Sequence, residues 1–242
     1  MCLIVNIYYL VDNIMDFSLP SKNTAFLIPS TSRNRNWNII EDSYLYQSLS
    51  ILDKHYKGIT VYLGIDRNDE FYKNNIQELK QKLNNLIFQV YFEDYEKGNV
   101  VSIWNHLSHI AYDDGMELFF AIGDDIVYPD NKEWLQTMCK KLRDHNGIGF
   151  SAGDSGNPQL PMTQFLLSRK HIEIFGNIFN PLLKNWFCDN YLCELYPNKY
   201  IYYFPEIKLL NNGGQPRYKP EDHRKLYKML VKRDKFKSRK SF

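Results

Sequence analysis

From residue 24 onward, short apolar runs alternate with longer segments whose apolar residues recur at helical spacing. The apolar runs predict four buried strands, at 24–30, 59–66, 87–92 and 118–122. The segments between and after them predict helices at 39–52, 70–86, 99–113 and 132–145. Because strand and helix alternate four times, the pattern predicts an α/β fold with a mainly parallel central sheet flanked by helices.

The composition fits one globular domain with a full core. The chain has 242 residues, of which 44% are hydrophobic and 24% are charged. The pattern loosens after about residue 148, but the later apolar runs (IGFSAGD and TQFLLS) contain no linker-like composition. We therefore expect the second half to complete the same domain.

Charge is distributed unevenly along the chain. The segment from Arg217 to the end holds 11 Lys and Arg against 3 Asp and Glu, whereas the preceding residues carry a net charge of −6. Such a basic tail can contact an anionic membrane surface, nucleic acid or phosphate groups. A solvated helix end is the alternative interpretation.

The N-terminal residues and the cysteines bear on location. The apolar start MCLIVNIYYLV is about 11 residues long, which is too short to cross a bilayer, and it lacks the basic region and cleavage site of a signal peptide. Four cysteines at positions 2, 139, 188 and 193 show no CxxC pair, which predicts free thiols. We expect an N-terminal arm at 1–23 and a cytoplasmic protein.

The sequence FFAIGDDIVY places Asp124 and Asp125 directly after the fourth predicted strand. Two adjacent carboxylates repel each other unless a cation, water or hydrogen-bond donors compensate them. Acids at a strand end suit Mg²⁺ or Mn²⁺ beside a diphosphate, because hard cations prefer oxygen ligands. The alternative is a turn that one aspartate caps while its neighbour is solvated.

Several motifs in this order resemble those of nucleotide-sugar-dependent glycosyltransferases with the GT-A fold, close to the family-2-like group. They are FLIPSTSRNR, VYLGID, KGNVVSIWNHLSHIA, FFAIGDDIVY in place of a DXD motif, and NWFCDNYLCELY. The segment GGQPRYKPEDHRKLY resembles that of some viral and protist relatives, so a viral source is expected. The resemblance implies a metal-dependent, hexosyltransferase-type enzyme that uses a nucleotide sugar, with UDP-sugar as the expected donor, and a glycan or other hydroxyl acceptor.

The resemblance also implies a domain division and a set of binding residues. The expected glycosyltransferase domain covers 24–216, with a nucleotide-sugar half at 24–130 and an acceptor half at 131–216, followed by the basic segment 217–242. The residues expected to bind the nucleotide sugar are Pro29, Ser30, Thr31, Arg33, Asp66, Asn105 and Asp124. A surface arginine, a strand-end turn acid and an ordinary helix asparagine are the alternatives for Arg33, Asp66 and Asn105.

The acidic motif departs from the family pattern, since it reads Gly-Asp-Asp. Asp125 is then the expected metal ligand, and Asp124 is expected to contact the ribose or a metal-bound water, although the two roles are exchangeable. His223 is a further candidate for the Mn²⁺ or Mg²⁺ shell, or else part of a polar helix start.

On the acceptor side, Asp189 matches the family's catalytic base. It lies where a new helix is predicted to begin, and a helix N-terminus should lower its pKa. An ordinary N-cap is the alternative. Trp186 is expected to stack on an acceptor sugar, or else to pack in the core.

Three other functions stay open from the sequence. One is a glycan- or nucleotide-binding protein with this fold and no catalysis, and another is a retaining glycosyltransferase, which needs no Asp189 base. A polymerase would use GDD in a hairpin, but a helical pattern follows here within about seven residues, so no nucleic-acid partner is expected.

Overall fold

The computed structural model describes residues 23–160, 162–213 and 222–239, with side chains up to Lys235. The predicted N-terminal arm and Arg217, where the predicted basic segment begins, lie outside the described residues. The strands are β1 (Thr24–Ser30), β2 (Thr60–Asp66), β3 (Ile87–Glu93), β4 (Leu118–Ala121), β5 (Ile126–Val127), β6 (Phe150–Asp154), β7 (Phe165–Ser168), β8 (Ile201–Lys208) and β9 (Leu210–Asn211). The helices are α1 (Tyr44–His55), α2 (Glu70–Lys82), α3 (Val100–Asp113), α4 (Glu133–Arg143), α5 (Arg169–Phe175), α6 (Cys188–Leu195) and α7 (Arg224–Arg239).

Seven strands form the central sheet in the order β3-β2-β1-β4-β7-β6-β8, and β5 pairs with β9 in a separate ribbon. Neighbouring pairs among β3, β2, β1 and β4 are parallel, whereas β7 runs antiparallel to both β4 and β6. The predicted mainly parallel α/β sheet is therefore confirmed. The reversed β7 was not predicted, because strand direction leaves no mark in a short apolar run.

Helices cover both faces of the sheet, as expected for parallel strands that are apolar throughout. Phe26 and Ile28 of β1 face a core that α1, α2 and α4 complete. Ala25 and Leu27 of the same strand face a second core, which includes residues of α3, α6 and α7. Gly64 in β2 allows α3 to lie close, since a Cβ there would overlap Ile103.

The predicted helices agree with the observed ones except near their ends. The helix predicted from residue 39 begins at Tyr44, after a 3₁₀ turn at Ile40–Asp42, and Ser43 caps it by accepting a hydrogen bond from Tyr46 N. Helix α7 lies inside the segment predicted as a basic helix or tail. The three cysteines in the described part of the chain are free, as predicted. Among the described helices, none is both long enough and apolar enough to cross a membrane.

Candidate functional site

The carboxyl ends of β1, β2 and β4 lie at one edge of the sheet. The chain passes from β1 outward to β2 and β3 and then returns to β4 on the other side of β1, so the strand order switches between β1 and β4. Open α/β sheets bind ligands at such switch points. Here the Ser30 hydroxyl, at the end of β1, donates a 2.7 Å hydrogen bond to Asp124 Oδ2, beyond the end of β4. The switch point is thus bridged by two of the predicted site residues.

The turn that contains the two aspartates is held from several directions. Trp104 Nε1 on α3 donates to the Ile122 carbonyl at 3.1 Å. The Gly123 amide donates to Gln164 Oε1 at 3.3 Å, and Gln164 Nε2 donates to Asn211 Oδ1 at 2.9 Å. These contacts join the turn to α3, to β9 and to the segment before β7, so its position is set by tertiary structure.

The two aspartates have different surroundings. Asp124 is fully buried, and besides its bond with Ser30 it lies near Tyr72, whose hydroxyl is 2.9 Å from Ser30 Oγ. Asp125 is only partly buried. Because Asp124 is buried, a structural role in holding the end of β1 is favoured. The predicted direct contact of Asp124 with ribose stays a prediction. The more accessible Asp125 suits the predicted role of metal ligand better.

Two glycines leave room for the Asp125 carboxylate. A Cβ on Gly213 would overlap Asp125 Oδ2 and lie 2.7 Å from its Cγ, and a Cβ on Gly123 would lie 2.6 Å from Oδ1. The Gly213 segment is fixed there, because Asn212 N donates to the Asp125 carbonyl at 2.9 Å and Arg35 Nη2 donates to the Gly213 carbonyl at 2.8 Å. The carboxylate therefore occupies a space that the side chain of any residue other than glycine at position 123 or 213 would fill.

The donor chemistry of Asp125 is of the kind that a hard divalent cation accepts. Mg²⁺ and Mn²⁺ prefer carboxylate oxygens and are usually bound by one or two carboxylates together with substrate phosphates. Within the described residues, no three Asp, Glu, His or Cys side chains cluster as a self-sufficient metal site. His223 immediately precedes α7, and its carbonyl accepts from Tyr227 N at 2.8 Å. Its contribution to a metal shell stays a prediction.

A small cleft of about 90 Å³ opens beside the switch point. Four predicted nucleotide-binding residues line it, namely Pro29, Ser30, Thr31 and Arg33, together with Asp66. The loop before α3 and the first residues of α3 form its other wall, with Glu96, Lys97, Gly98, Asn99, Val100 and Ile103. The structure thus brings together five of the seven residues predicted to bind the nucleotide sugar.

Arg33 and Asp66 form an ion pair inside this cleft, and both side chains remain partly exposed. The sequence-based prediction assigned Arg33 to phosphate and Asp66 to the base or ribose as separate contacts. The Arg33 guanidinium therefore lies beside the Asp66 carboxylate, so hydrogen-bond donors and an acceptor are available side by side.

Asp69 organises the cleft loop and was not predicted. It caps α2 by accepting from Tyr72 N at 3.2 Å, and it accepts from both Ser32 N and Ser32 Oγ at 2.7 Å. Thr31 Oγ1 also donates to it at 3.3 Å. Its position before a helix pattern was a visible N-cap signal, but the contacts with the β1 loop depend on the fold.

Asn105 is not among the residues that line the cleft. Its Nδ2 donates to the Phe179 carbonyl at 2.9 Å and its Oδ1 accepts from Phe179 N at 3.0 Å. The side chain is buried and fastens α3 to the loop after α5. This pairing favours a structural role, and the predicted nucleotide contact finds no support in the geometry.

The loop before α6 is tied to the wall of the cleft. The Lys184 carbonyl accepts from Val101 N at 3.1 Å, and Asn185 Nδ2 donates to the Gly98 carbonyl at 2.8 Å. Lys184 Nζ also pairs with Glu96 at 2.6 Å. Asp189 lies in the first turn of α6, so these contacts fasten the segment that precedes it to the wall of the cleft.

The pKa of Asp189 shifts in the direction opposite to the prediction. Burial raises the pKa of its carboxyl to about 7, although the Cys188 thiol, 3.7 Å from Oδ1, and the helix N-terminus favour the charged form. Desolvation outweighs the helix dipole here. A carboxyl with a pKa near 7 is suited to proton transfer near neutral pH.

An aromatic group lies just before Asp189. Trp186 is 47% exposed, which excludes the alternative that it packs in the core. The next residue, Phe187, has a φ of 71°, a left-handed conformation that a bulky residue rarely adopts. Phe187 is held by stacking on Tyr227 with ring centroids 5.4 Å apart. Strain of this kind is often found at functional sites.

Comparisons with known proteins place the fold. No family model matches the sequence, and no curated protein does either. Among solved structures, the mannosyltransferase PcManGT from Pyrobaculum calidifontis, in complex with GDP-Man and Mn²⁺, matches with a TM-score of 0.58 and 11% identity, covering 80% of this chain. TarS from S. aureus matches with a TM-score of 0.53, 14% identity and 78% coverage. GalNAc-T7 with UDP, GalNAc and Mn²⁺ matches with a TM-score of 0.52, 11% identity and 80% coverage.

The match covers 58% of the PcManGT chain, 36% of the TarS chain and 45% of the GalNAc-T7 chain, so this protein corresponds to part of each. Identity at this level shows a shared fold and leaves activity and substrate to be argued from the site. The strand order, the helices on both faces and these structural matches together show that the chain has the GT-A fold of nucleotide-sugar transferases.

Proposed function

We propose that this protein is a metal-dependent glycosyltransferase that moves a sugar from a nucleotide sugar to a hydroxyl group of a glycan or similar acceptor. The observation that carries the proposal is the meeting of three parts at one sheet edge. The Asp124-Asp125 turn, the cleft beside Ser30 and the tethered loop before Asp189 all adjoin the switch point of a GT-A fold. A protein in which this sheet edge served only for packing would have no reason to place the acid turn, the cleft and this loop next to one another.

The acid turn supports binding of the leaving diphosphate. Asp125 would hold Mn²⁺ or Mg²⁺, and Asp124 would keep the turn in register with β1 through Ser30. When bound, such a cation supplies Lewis-acid stabilisation of the negative charge on the diphosphate. Arg33 lines the cleft beside Ser30, which does not include Asp125, and it offers further donors for anionic groups.

A UDP-sugar is the proposed donor. Uracil carries one N–H donor between two carbonyl acceptors, and Asp66 beside Arg33 offers a carboxylate acceptor next to guanidinium donors. The pair would rearrange slightly so that both side chains face the base. The GDP-Man and UDP complexes of the structural neighbours belong to those proteins, so the base must be determined by experiment.

Asp189 would act as the base of an inverting displacement. Its carboxylate takes the proton of the acceptor hydroxyl while that oxygen forms a bond to the anomeric carbon. The bond between the anomeric carbon and the diphosphate oxygen breaks, and the nucleoside diphosphate leaves with that electron pair. The raised pKa makes Asp189 a stronger base than an exposed aspartate, and the exposed Trp186 ring could stack on the acceptor sugar.

A thermal melt with UDP, GDP and a panel of their sugars, each with and without Mn²⁺, tests the binding half of the proposal. A nucleotide at 100 times its dissociation constant should stabilise the protein by about 2.7 kcal/mol. We expect a shift that needs both nucleotide and metal and that Asp125→Asn removes. The absence of a shift with any nucleotide would refute the transferase proposal.

Turnover separates an enzyme from a binding protein of the same fold. With the donor that gives the largest shift, release of nucleoside diphosphate should depend on an added acceptor and should be lost in Asp189→Asn. The variant should keep the metal-dependent thermal shift, because Asp189 is placed on the acceptor side. Binding without turnover for any acceptor would indicate an inactive GT-A-like protein, and full activity of Asp189→Asn would favour a retaining mechanism.

A further inference from the structure

Helix α7 carries a basic stripe on its outer face. Lys225, Lys228, Met229 and Lys232 are spaced at i, i+3, i+4 and i+7, so they share one side of the helix. All four are exposed, and Met229 is 69% exposed. The opposite side packs inward through Tyr227, Leu230, Val231 and Asp234, which are all buried.

The positive charge of the basic stripe is not neutralised by the part of the chain that the structure describes. The ion pairs of α7 join Arg224 to Asp222 and Arg233 to Asp234, and neither involves a lysine of the stripe. Asp234 is the only acid between positions 224 and 235, and it lies on the buried side. The stripe therefore presents three lysines to any anionic partner.

One exposed apolar side chain lies among these lysines. Met229 lies within the stripe, whereas Leu182 and Trp186, which are 55% and 47% exposed, lie on the loop that contacts the buried side of α7. That loop is joined to α7 through the Asn180–Asp234 hydrogen bond of 2.9 Å and the stacking of Phe187 on Tyr227. Exposed apolar groups among lysines are typical of helices that lie in a membrane interface, where lysine stems extend along the apolar layer.

We propose that the basic stripe docks this protein on a membrane surface rich in anionic phospholipid. The charge is complementary to the lipid headgroups, and Met229 supplies an apolar contact that a purely electrostatic partner would not need. Nucleic acid fits less well, since the apolar member of the stripe is Met229 and not an aromatic ring on which a base could stack. Docking does not depend on the proposed transfer reaction, but it would bring α6 with Asp189 close to the lipid surface, because Tyr191 of α6 bonds to Asp234 of α7 at 2.9 Å.

Sedimentation of the full chain with phosphatidylcholine vesicles, with and without phosphatidylserine, tests the proposal. The test variant is Lys225→Gln/Lys228→Gln/Lys232→Gln. Each lysine near an anionic leaflet contributes about fivefold in affinity, so the triple variant should bind about 100-fold more weakly. Melting temperature and the nucleotide-dependent thermal shift should match the wild type, because the three side chains are exposed and lie on the side of α7 opposite to the one that packs on the domain.

A matched control variant removes three positive charges from a different surface of the protein. Lys132, Lys140 and Lys141 are exposed on or beside α4, which covers the other face of the sheet. The corresponding triple Gln variant should retain vesicle binding within a few-fold. Equal losses in the two triple variants would show a general charge effect and would overturn the proposal, as would a wild type that ignores phosphatidylserine.

Two further measurements distinguish other occupants of the stripe. Met229→Ser leaves the charge unchanged and should weaken vesicle binding several-fold, so an unchanged affinity would contradict interfacial docking. Titration of the wild type with a single-stranded oligonucleotide tests the nucleic-acid alternative. Tight, salt-sensitive binding that the stripe variant loses, together with unchanged vesicle binding, would overturn the proposal in favour of nucleic acid.

Discussion

Gly213→Ala should disable the candidate metal site while leaving the fold in place. Gly213 does not adopt a left-handed φ, so its backbone accepts an alanine. The new Cβ would overlap Asp125 Oδ2 and lie 2.7 Å from Asp125 Cγ, which is closer than real Cβ contacts occur. Because Gly213 is fixed by Arg35 and by the adjacent Asn212, we expect the carboxylate to move rather than the backbone.

The expected loss of ligand-dependent stability is larger than the expected cost of Gly213→Ala to the free protein, so the two effects can be told apart. Turning one side chain about 30° off its preferred rotamer costs about 0.5–1.5 kcal/mol. In a chain of this size 1 kcal/mol corresponds to about 2–4 °C in melting temperature, so Gly213→Ala should lower the Tm without ligand by about 1–6 °C. The loss of metal-dependent nucleotide binding removes about 2.7 kcal/mol at 100 times the dissociation constant, which corresponds to about 5–11 °C.

The assay is the thermal melt with the best nucleotide sugar, with and without Mn²⁺. We expect the wild type to show the full metal-dependent shift and Gly213→Ala to show almost none. Gly115→Ala is the matched control, since Gly115 has a φ of 84° and a Cβ there meets nothing within 4 Å. That variant should lose about 1–2 kcal/mol of stability from backbone strain and keep the ligand shift.

A double variant checks that the effect passes through Asp125. If Gly213→Ala acts only by displacing that carboxylate, then Asp125→Asn/Gly213→Ala should bind no more weakly than Asp125→Asn alone. A wild-type metal-dependent shift in Gly213→Ala would refute the reasoning, because the candidate site would then tolerate a displaced Asp125.

Three other substitutions test separate parts of the site. Asp189→Asn should abolish turnover, whereas wild-type kcat should rise with pH through about 7 as the carboxyl loses its proton. The pKa of Asp189 is higher in the folded than in the unfolded protein, so the wild type loses folding stability as the pH rises from about 4 to about 7. Asn does not titrate, so the melting temperature of Asp189→Asn should rise relative to that of the wild type over this pH range. Asn105→Ala leaves two backbone groups of Phe179 unpaired and should cost about 2–6 kcal/mol in denaturant unfolding while nucleotide affinity is kept. Lost affinity at unchanged stability would restore the predicted nucleotide contact. Asp69→Ala should cost about 1 kcal/mol as a lost helix cap and should also weaken nucleotide binding in a titration, because Ser32 loses its anchor. A nucleotide affinity equal to that of the wild type would contradict this role of Asp69.

Local periodicity in the sequence was enough to predict β1 to β4, the helices between them and the strand ends at which the candidate residues lie. Apolar runs that end at Ser30, at Asp66 and before Asp124 mark strand ends, and parallel strands bring their carboxyl ends to one edge. This reasoning needs only local periodicity and one topological rule. It was enough to predict the α/β sheet and the cleft residues.

The surroundings of the candidate residues depend on the tertiary structure. The burial of Asp124, the pairing of Arg33 with Asp66 and the raised pKa of Asp189 all arise from neighbours that lie far away along the chain or from the exclusion of water. Gly213 appears in sequence as an ordinary loop glycine, and its contact with Asp125 exists only because β9 pairs with β5. Periodicity reports which face of an element is apolar, whereas the environment of a polar side chain depends on which elements meet around it.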